Sequence, residues 1–374
     1  MEETIEAAYL RLLYISKFPE AKLGRLLAEY GSLTAVKSAV ENSTIAGINR
    51  FEREALRDLG AHPSPSNPLL DQTYRWVEGS DNHLLSFDSP NYPSLLKHIH
   101  CPPPLLYVTG DPLALQSACC AMVGSRKASQ YGLRVAGWLA NELASLGLTI
   151  VSGMALGIDS RSHEMALSAG GTTVAAVGCG VDVLYPKQNA KLKDEIRLSG
   201  ALISEYPLGT QPRPHHFPRR NRIISGISLG LIVVEAAERS GSLITARQAM
   251  EQGRDVFAVP GQIGTRHSKG SHKLIKEGAK LIECAADVTE SILNGWHHDQ
   301  EPSFYQREQP DPSSNSETVG LNGRVLEAIT EPDCLLQNIV ERADLSIAEV
   351  QCALLELEIS GLVEIQGGRA SRNL

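Results

Sequence analysis

Three arginines, Arg219, Arg220 and Arg222, fall within four residues of FPRRNRIISG (217–226), immediately before an apolar Ile-Ile pair. Guanidinium groups bind carboxylates and phosphates through forked, charge-assisted hydrogen bonds. The cluster therefore needs an anion, either a carboxylate within the protein or a phosphate from outside. Glu235, at the end of an apolar run, can hold one arginine such as Arg222, but not all three. Arg213 and the pair His215-His216 add donors upstream, and residues 211–222 contain no acid. This segment favours an external anion. Phe217 beside it either stacks on a base whose phosphate is held, as in single-strand binding, or anchors a helix start in the core.

The elements that must position these residues are read from Cys119 onward. CCAMVGSR, LTIVSG, TTVAAVGCG, ALISEYP, LGLIVVEAA, DVFAVPG and KLIE are short apolar runs, several of them typical of strands buried on both faces. Helical patterns separate them over 129–147, 155–170, 187–199, 218–228, 240–253 and 271–278. This alternation predicts an α/β fold with a doubly wound, mostly parallel sheet. Such sheets bind ligands at the C-terminal ends of their strands. The loops there contain Gly124-Ser125-Arg126, then Gly153 and Gly157, Gly178-Cys179-Gly180, Ser240-Gly241-Ser242 and Pro260-Gly261. Glycine permits close backbone approach, and helix N-termini offer free N–H groups to phosphate. Each loop alone is equally explained by the need to turn the chain. No G-x-G-x-x-G opens the first unit, and no Walker A sequence, Ser-His-Asp set or metal-ligand spacing occurs. His163 reads as a packed or capping histidine, and Asp159 as either a helix cap or a hydrogen-bond acceptor.

The rest of the chain bounds the organisation. Helical spacings of leucine over residues 1 to about 60 predict a small helical module. AHPSPSNP (61–68) is a proline-rich break, and 83–113 reads as short strands punctuated by proline. Residues 297–318 are polar and acidic, as in a linker. Three helical patterns, a short strand and a Gly-Gly turn follow, which suggests a winged helix-turn-helix. The net charge of -8 belongs to the C-terminal fifth: residues 297–374 hold 5 basic against 14 acidic residues, and the remainder 30 against 29. A near-neutral body still binds anions where arginines cluster, since the field is local. No run of 18 apolar residues is present to span a membrane, and MEETIEAAYLRLL is no secretory signal. Seven cysteines without a C-x-x-C pair suit reduced thiols in the cytoplasm.

VGSRKASQYG, SGMALGIDSRSHEMAL, YPKQNAKL, SEYPLGTQPRPHHFPRRNRIISGIS, VVEAAERSGSLITARQAMEQGRDVFAVPG and KLIKEGAKLIE follow in order over about residues 83–283. In these stretches the chain resembles the DNA-processing protein A family (DprA, also called Smf). The resemblance implies a Rossmann-like core over 63–296, with an extension at 83–118 and the α/β part at 119–296. Before it comes a small helical domain of SAM or helix-hairpin-helix type (1–62), and after the acidic linker a winged helix (319–374). It further implies a homodimer that binds single-stranded DNA, protects incoming strands and helps load the RecA recombinase in natural transformation, with no cofactor and no catalysis. Carried over by position, the phosphate-contacting residues are Gly124, Ser125 and Arg126, and the basic helix start is Phe217, Arg219, Arg220, Asn221 and Arg222. Gly153, Gly157, Ser240, Gly241 and Ser242 join the same pocket. His272 stands where many relatives have Asn.

Phosphate capture by loop amides and arginines, at about four to six phosphates, gives a log-log salt slope of roughly -3 to -4. Two other readings compete. ERSGSLITA is similar in placement to the glycine-rich loop of nucleotide phosphoribohydrolases, but lacks the acid of their P-G-G-x-G-T-x-x-E motif. An adaptor acting mainly through its tail is the other. That tail, residues 319–374, holds 4 basic against 9 acidic residues, which repels duplex DNA and points to protein contact or packing.

Overall fold

The computed structural model describes residues 4–42, 45–59, 67–294, 318–329, 334–359, 362–366 and 369–372. The acidic linker at 297–317 and most of the proline-rich break (61–66) lie outside the described residues. The chain divides into two compact units, 1–303 and 304–374.

The first unit opens with helices α1 (Ile5–Leu10), α2 (Glu20–Tyr30), α3 (Leu33–Glu41), α4 (Arg50–Arg57) and α5 (Pro68–Val77). Their starts are written locally. Asn49 and Glu52 form a reciprocal capping box at α4, and Asn67 caps α5 with Pro68 in its first turn. Strand β1 (Asn82–Ser86), the short α6 (Ser94–Lys97) and β2 (Leu105–Gly110) follow. Then comes the alternation expected from the apolar runs: β3 (Cys119–Val123), α7 (Gln130–Ser145), β4 (Thr149–Ser152), α8 (Ile158–Ser168), β5 (Thr173–Ala176), α9 (Ala190–Ser199) and β6 (Gly200–Ser204). It continues through α10 (His216–Gly226), β7 (Gly230–Val233), α11 (Gly241–Glu251), β8 (Asp255–Ala258), α12 (Lys269–Lys276), β9 (Lys280–Leu281) and α13 (Ala285–Asn294).

These strands form one nine-stranded sheet in the order β1-β2-β6-β5-β4-β3-β7-β8-β9. From β6 to β9 all pairs are parallel, while β1 and β2 add an antiparallel edge beyond β6. Every residue of β3 through β7 is buried, because helices cover both faces. Each fully buried Leu, Ile or Val there contributes about 1.5–3 kcal/mol. Successive connections leave β3 toward β4 on one side and, after β6, return to β7 on the other. That reversal opens a crevice at the C-terminal end of β3.

The N-terminal helices share a core with the sheet. Tyr9, Leu10, Leu23 and Leu27 pack in one cluster with Phe87, Leu105, Ile223 and Leu231. Polar ties fix the register: the Tyr9 hydroxyl donates to Asp88 at 2.8 Å, and Ser86 and Ser89 both donate to Glu6 at 3.0 Å. Cys119 and Cys120 are buried free thiols, each pushed up to about 12 by desolvation.

The second unit consists of α14 (Thr318–Ala328), β10 (Cys334–Leu335), α15 (Leu336–Ala343), α16 (Ile347–Ile359), β11 (Val363–Gln366) and β12 (Arg369–Arg372). Its antiparallel sheet has the order β10-β12-β11, and Val325, Ile339, Val350 and Leu354 form a core of its own. No helix among the described residues is long and apolar enough to cross a membrane.

Candidate nucleic-acid interface

The loops at the C-terminal strand ends are knit together by backbone. The Ile158 N–H donates to the Ser125 carbonyl at 3.2 Å, joining the β3 loop to the start of α8. Gly157 has φ +86°, and a Cβ on it would lie 2.3 Å from the Ser125 carbonyl oxygen, so only glycine fits there. Ser242 donates to the Gly124 carbonyl at 2.9 Å, which draws the N-terminus of α11 onto the same loop, while Ser240 caps that helix. Gly241 faces open space. Ser125 accepts from the Lys127 N–H at 3.1 Å.

A pocket of about 130 Å³ opens beside these loops at the ends of β4 and β5. Gly153, Met154, Ala155, Leu156 and Gly178 supply its backbone walls, and Arg126, Tyr185, Phe217 and Arg220 its side chains. Arg126 is exposed, with its guanidinium carbon 5.4 Å from the centre of the Phe217 ring, a cation–π contact. The Tyr185 ring lies 5.5 Å from the Phe217 ring, tilted by 36°. Met154 takes a left-handed backbone, φ +55°, at the end of β4, a conformation that costs about 1 kcal/mol or more in a non-glycine residue.

Arg220, also in the pocket wall, is buried. Its Nη1 donates to the Gly153 carbonyl at 2.9 Å and to the Ala176 carbonyl, and its Nε donates to Asn221 Oδ1 at 3.2 Å. Burial lowers its pKa to about 10, against the opposing pull of Asp159. Asp159 is itself buried and pushed up by desolvation, with Arg220 the main opposing influence. It accepts from the Ala155 N–H at 3.4 Å, and so acts as a local acceptor inside the pocket wall. A cradle of this kind, with cationic forks, backbone amides and an aromatic face, can hold a phosphate and stack the adjoining base.

The other two arginines of the cluster point elsewhere, which corrects the expectation of one phosphate-facing group. Arg222 pairs with Glu205, whose side chain is fully buried. Arg219 lies 3.2 Å from the same carboxylate and 2.9 Å from Glu20 of α2. Residues three apart on a helix share a face, while Arg220 lies about 100° and 200° from Arg219 and Arg222 around the axis. Glu235, expected as an arginine partner, instead accepts from the Ser129 N–H at 2.9 Å and from the Ser129 hydroxyl. His216 is also taken up internally: its Nδ1 lies 3.0 Å from the Gly178 carbonyl and its ring stacks on Tyr206 at 4.1 Å. Glu20 is raised by burial and by Glu205, with which it shares the two arginines.

His163 is fully buried. Its Nδ1 lies 2.6 Å from the Thr173 hydroxyl, which spends its own proton on the Ile150 carbonyl, so Nδ1 carries hydrogen and donates. Desolvation depresses it to about 3, a neutral core histidine. His272 Nε2 lies 2.9 Å from the Gly261 carbonyl oxygen. Tyr185 and Glu205 are site residues that no motif in the sequence singles out. Tyr185 lies in a loop without periodicity. Glu205 follows an apolar strand run, a position that could have marked it as a buried acid.

A family model described as DNA recombination-mediator protein A matches residues 83–293, the stretch that builds β1 to α13. The chain belongs to the DNA recombination-mediator protein A family. A second model, the DprA winged helix domain, matches 309–369, and the C-terminal unit is this family's winged helix. Among relatives, Protein Smf of Escherichia coli is 41% identical over 365 residues, covering 96% of this chain and 94% of its own. DNA processing protein DprA of Streptococcus pneumoniae is 49% identical over 270 residues, 67% of this chain and 94% of its own. Its X-ray structure superposes with a TM-score of 0.65 at 36% identity, over 78% of this chain and 99% of that one. A Helicobacter pylori member, whose structure concerns its single-stranded DNA binding mode, superposes with a TM-score of 0.53 at 31% identity, over 58% of this chain and 97% of that one.

Proposed function

We propose that this chain binds single-stranded DNA at the C-terminal rim of its sheet and catalyses no reaction. The observation that carries the reading is the cluster of Arg126, Phe217 and Tyr185 around one pocket with the buried Arg220. Phosphate is held by Arg126, by Arg220 at the pocket floor and by the amides of Gly124, Ser125, Gly157, Ser240 and Gly241, while the Gly153 and Ser242 N–H groups are bonded to Asp159 and the Ser240 hydroxyl and shape the rim. A base lies against Phe217 or Tyr185, with little sequence choice at this pocket. Asn221 orients Arg220, while Arg219 and Arg222 anchor α10 through Glu205. With two arginines withdrawn, about two to four phosphates are neutralised, for a salt slope of about -1.4 to -2.8.

Family membership and the Helicobacter pylori relative support the binding role. We further propose, from the family resemblance of the sequence alone, that the chain acts in the cytoplasm as a homodimer, protects incoming strands and helps load RecA. A binding assay at physiological salt tests the reading: an oligothymidylate binds at least about tenfold more tightly than a duplex of equal length, and equal affinity contradicts it. A RecA pull-down with the full chain and with the separated core and tail tests the loading role, and no capture by the full chain contradicts it.

A further inference from the structure

The same rim carries a second, larger cavity of about 470 Å³ at the ends of β7 and β8. Glu235 lies in its wall with a side chain only 6% exposed. Tyr131, Pro260, Thr265, His267 and Ser268 are among the other lining residues, none of which is lysine or arginine. His267 Nδ1 stands 3.7 Å from the carboxylate. The start of α7 makes room for this carboxylate: a Cβ on Gly132 would lie 2.4 Å from its carbon. A phosphate is repelled here, because the wall holds an acid and no strong cation. A ligand edge that presents N–H donors is attracted.

Ser129 uses one lone pair on each Glu235 oxygen, which leaves further acceptor capacity on both. Guanine offers two adjacent donors, N1–H and the N2 amino group, in the spacing that a carboxylate accepts side by side. Cytosine and adenine offer one amino group, and thymine sets carbonyl oxygens on both sides of its single N–H. Tyr131 is 44% exposed beside the cavity, and Ile263 at the tip of the adjoining loop is 90% exposed, so apolar faces for a base are at hand. Ser129 and Arg126 belong to one loop, between β3 and α7. Three strand spacings separate the β4/β5 pocket from the β7/β8 cavity, about 14 Å, or about four nucleotides at stacked spacing.

We infer that this cavity is a second nucleobase subsite, which takes the donor edge of a guanine in the strand held at Arg126. The inference rests on the proposed function and gives the rim a base preference that phosphate capture lacks. The full chain is titrated with an oligothymidylate and with one of equal length carrying isolated dG residues. The dG strand binds about fivefold or more tightly, with an unchanged salt slope, and deoxyinosine, which lacks the amino group, falls between. In Glu235→Gln the ratio of the two affinities drops to about one. Thr265→Trp, which fills the cavity and leaves the carboxylate in place, does the same and serves if the first variant does not fold. Equal affinity of the wild type for both strands, or a guanine advantage that survives Thr265→Trp, overturns the subsite alone. Failure to bind either strand overturns the proposed function with it.

Discussion

Arg220 and Arg222 stand two positions apart on α10 and serve opposite sides of it. Arg220 donates to the Gly153 and Ala176 carbonyls at the strand ends, while Arg222 holds the buried Glu205 beneath the N-terminal helices. One basic cluster is therefore two devices, a floor for the ligand pocket and a clamp for the fold. The two roles separate in the variants below.

Arg222→Ala is expected to cost stability and not to alter the pocket. Removing one partner of a buried ion pair leaves an uncompensated charge, a loss of about 3 kcal/mol or more, moderated here because Arg219 also lies 3.2 Å from Glu205. Urea unfolding measures it. Single-strand affinity of the folded fraction stays near wild type, and a large affinity loss with unchanged stability would place Arg222 at the ligand.

Gly153→Ala acts on the other device. Its Cβ would lie 2.5 Å from Arg220 Nη1. The guanidinium is packed and bonded on this side, so it shifts, and the bond to the Gly153 carbonyl is lost. Overpacking of this kind costs about 1–3 kcal/mol. Oligothymidylate affinity is expected to fall about tenfold or more while circular dichroism stays native. Retained affinity would remove Arg220 from the site.

The buried histidine predicts a pH dependence. The folded-state value of His163 is depressed to about 3, below the unfolded value of about 6.5. The unfolded chain therefore binds the extra proton between these values. The stabilisation is complete above about pH 6.5 and is lost as pH falls toward 3, at about 1.4 kcal/mol per pH unit. Denaturant unfolding of the wild type and His163→Gln at neutral and mildly acidic pH checks the sign: the wild type loses more on acidification, and parallel curves would contradict it.

The winged-helix unit predicts a null effect on strand affinity. Residues 319–374 hold 4 basic against 9 acidic residues, so they neutralise no phosphates on balance. Removal of residues 304–374 leaves oligothymidylate affinity within about twofold, and the isolated unit does not bind duplex DNA at physiological salt. Micromolar duplex binding by that unit would contradict this.

The α/β alternation was legible because buried parallel strands such as Cys119–Val123 write uninterrupted apolar runs between amphipathic helices. The turns at strand ends were legible as well, since Gly157 needs a backbone that only glycine adopts readily. The partner of Arg222 was not. Glu205 is 17 residues upstream, just past β6, and only the packing of α10 on the sheet brings the two together, as only the approach of α2 brings Glu20 to the neighbouring Arg219. A basic cluster reads the same whether its anion comes from within or from outside, because spacing records the donors and not the fold that meets them. Tyr185 was missed for a related reason: its pairing with Phe217 depends on a loop crossing without periodicity.

The most direct test of a phosphate-binding rim is the salt dependence of oligothymidylate affinity in the wild type and in Arg126→Ala, whose side chain is exposed and makes no buried bond. Loss of one cationic phosphate contact lowers affinity and makes the log-log slope shallower by about 0.7, with melting unchanged. An identical slope and affinity in both proteins would contradict the account.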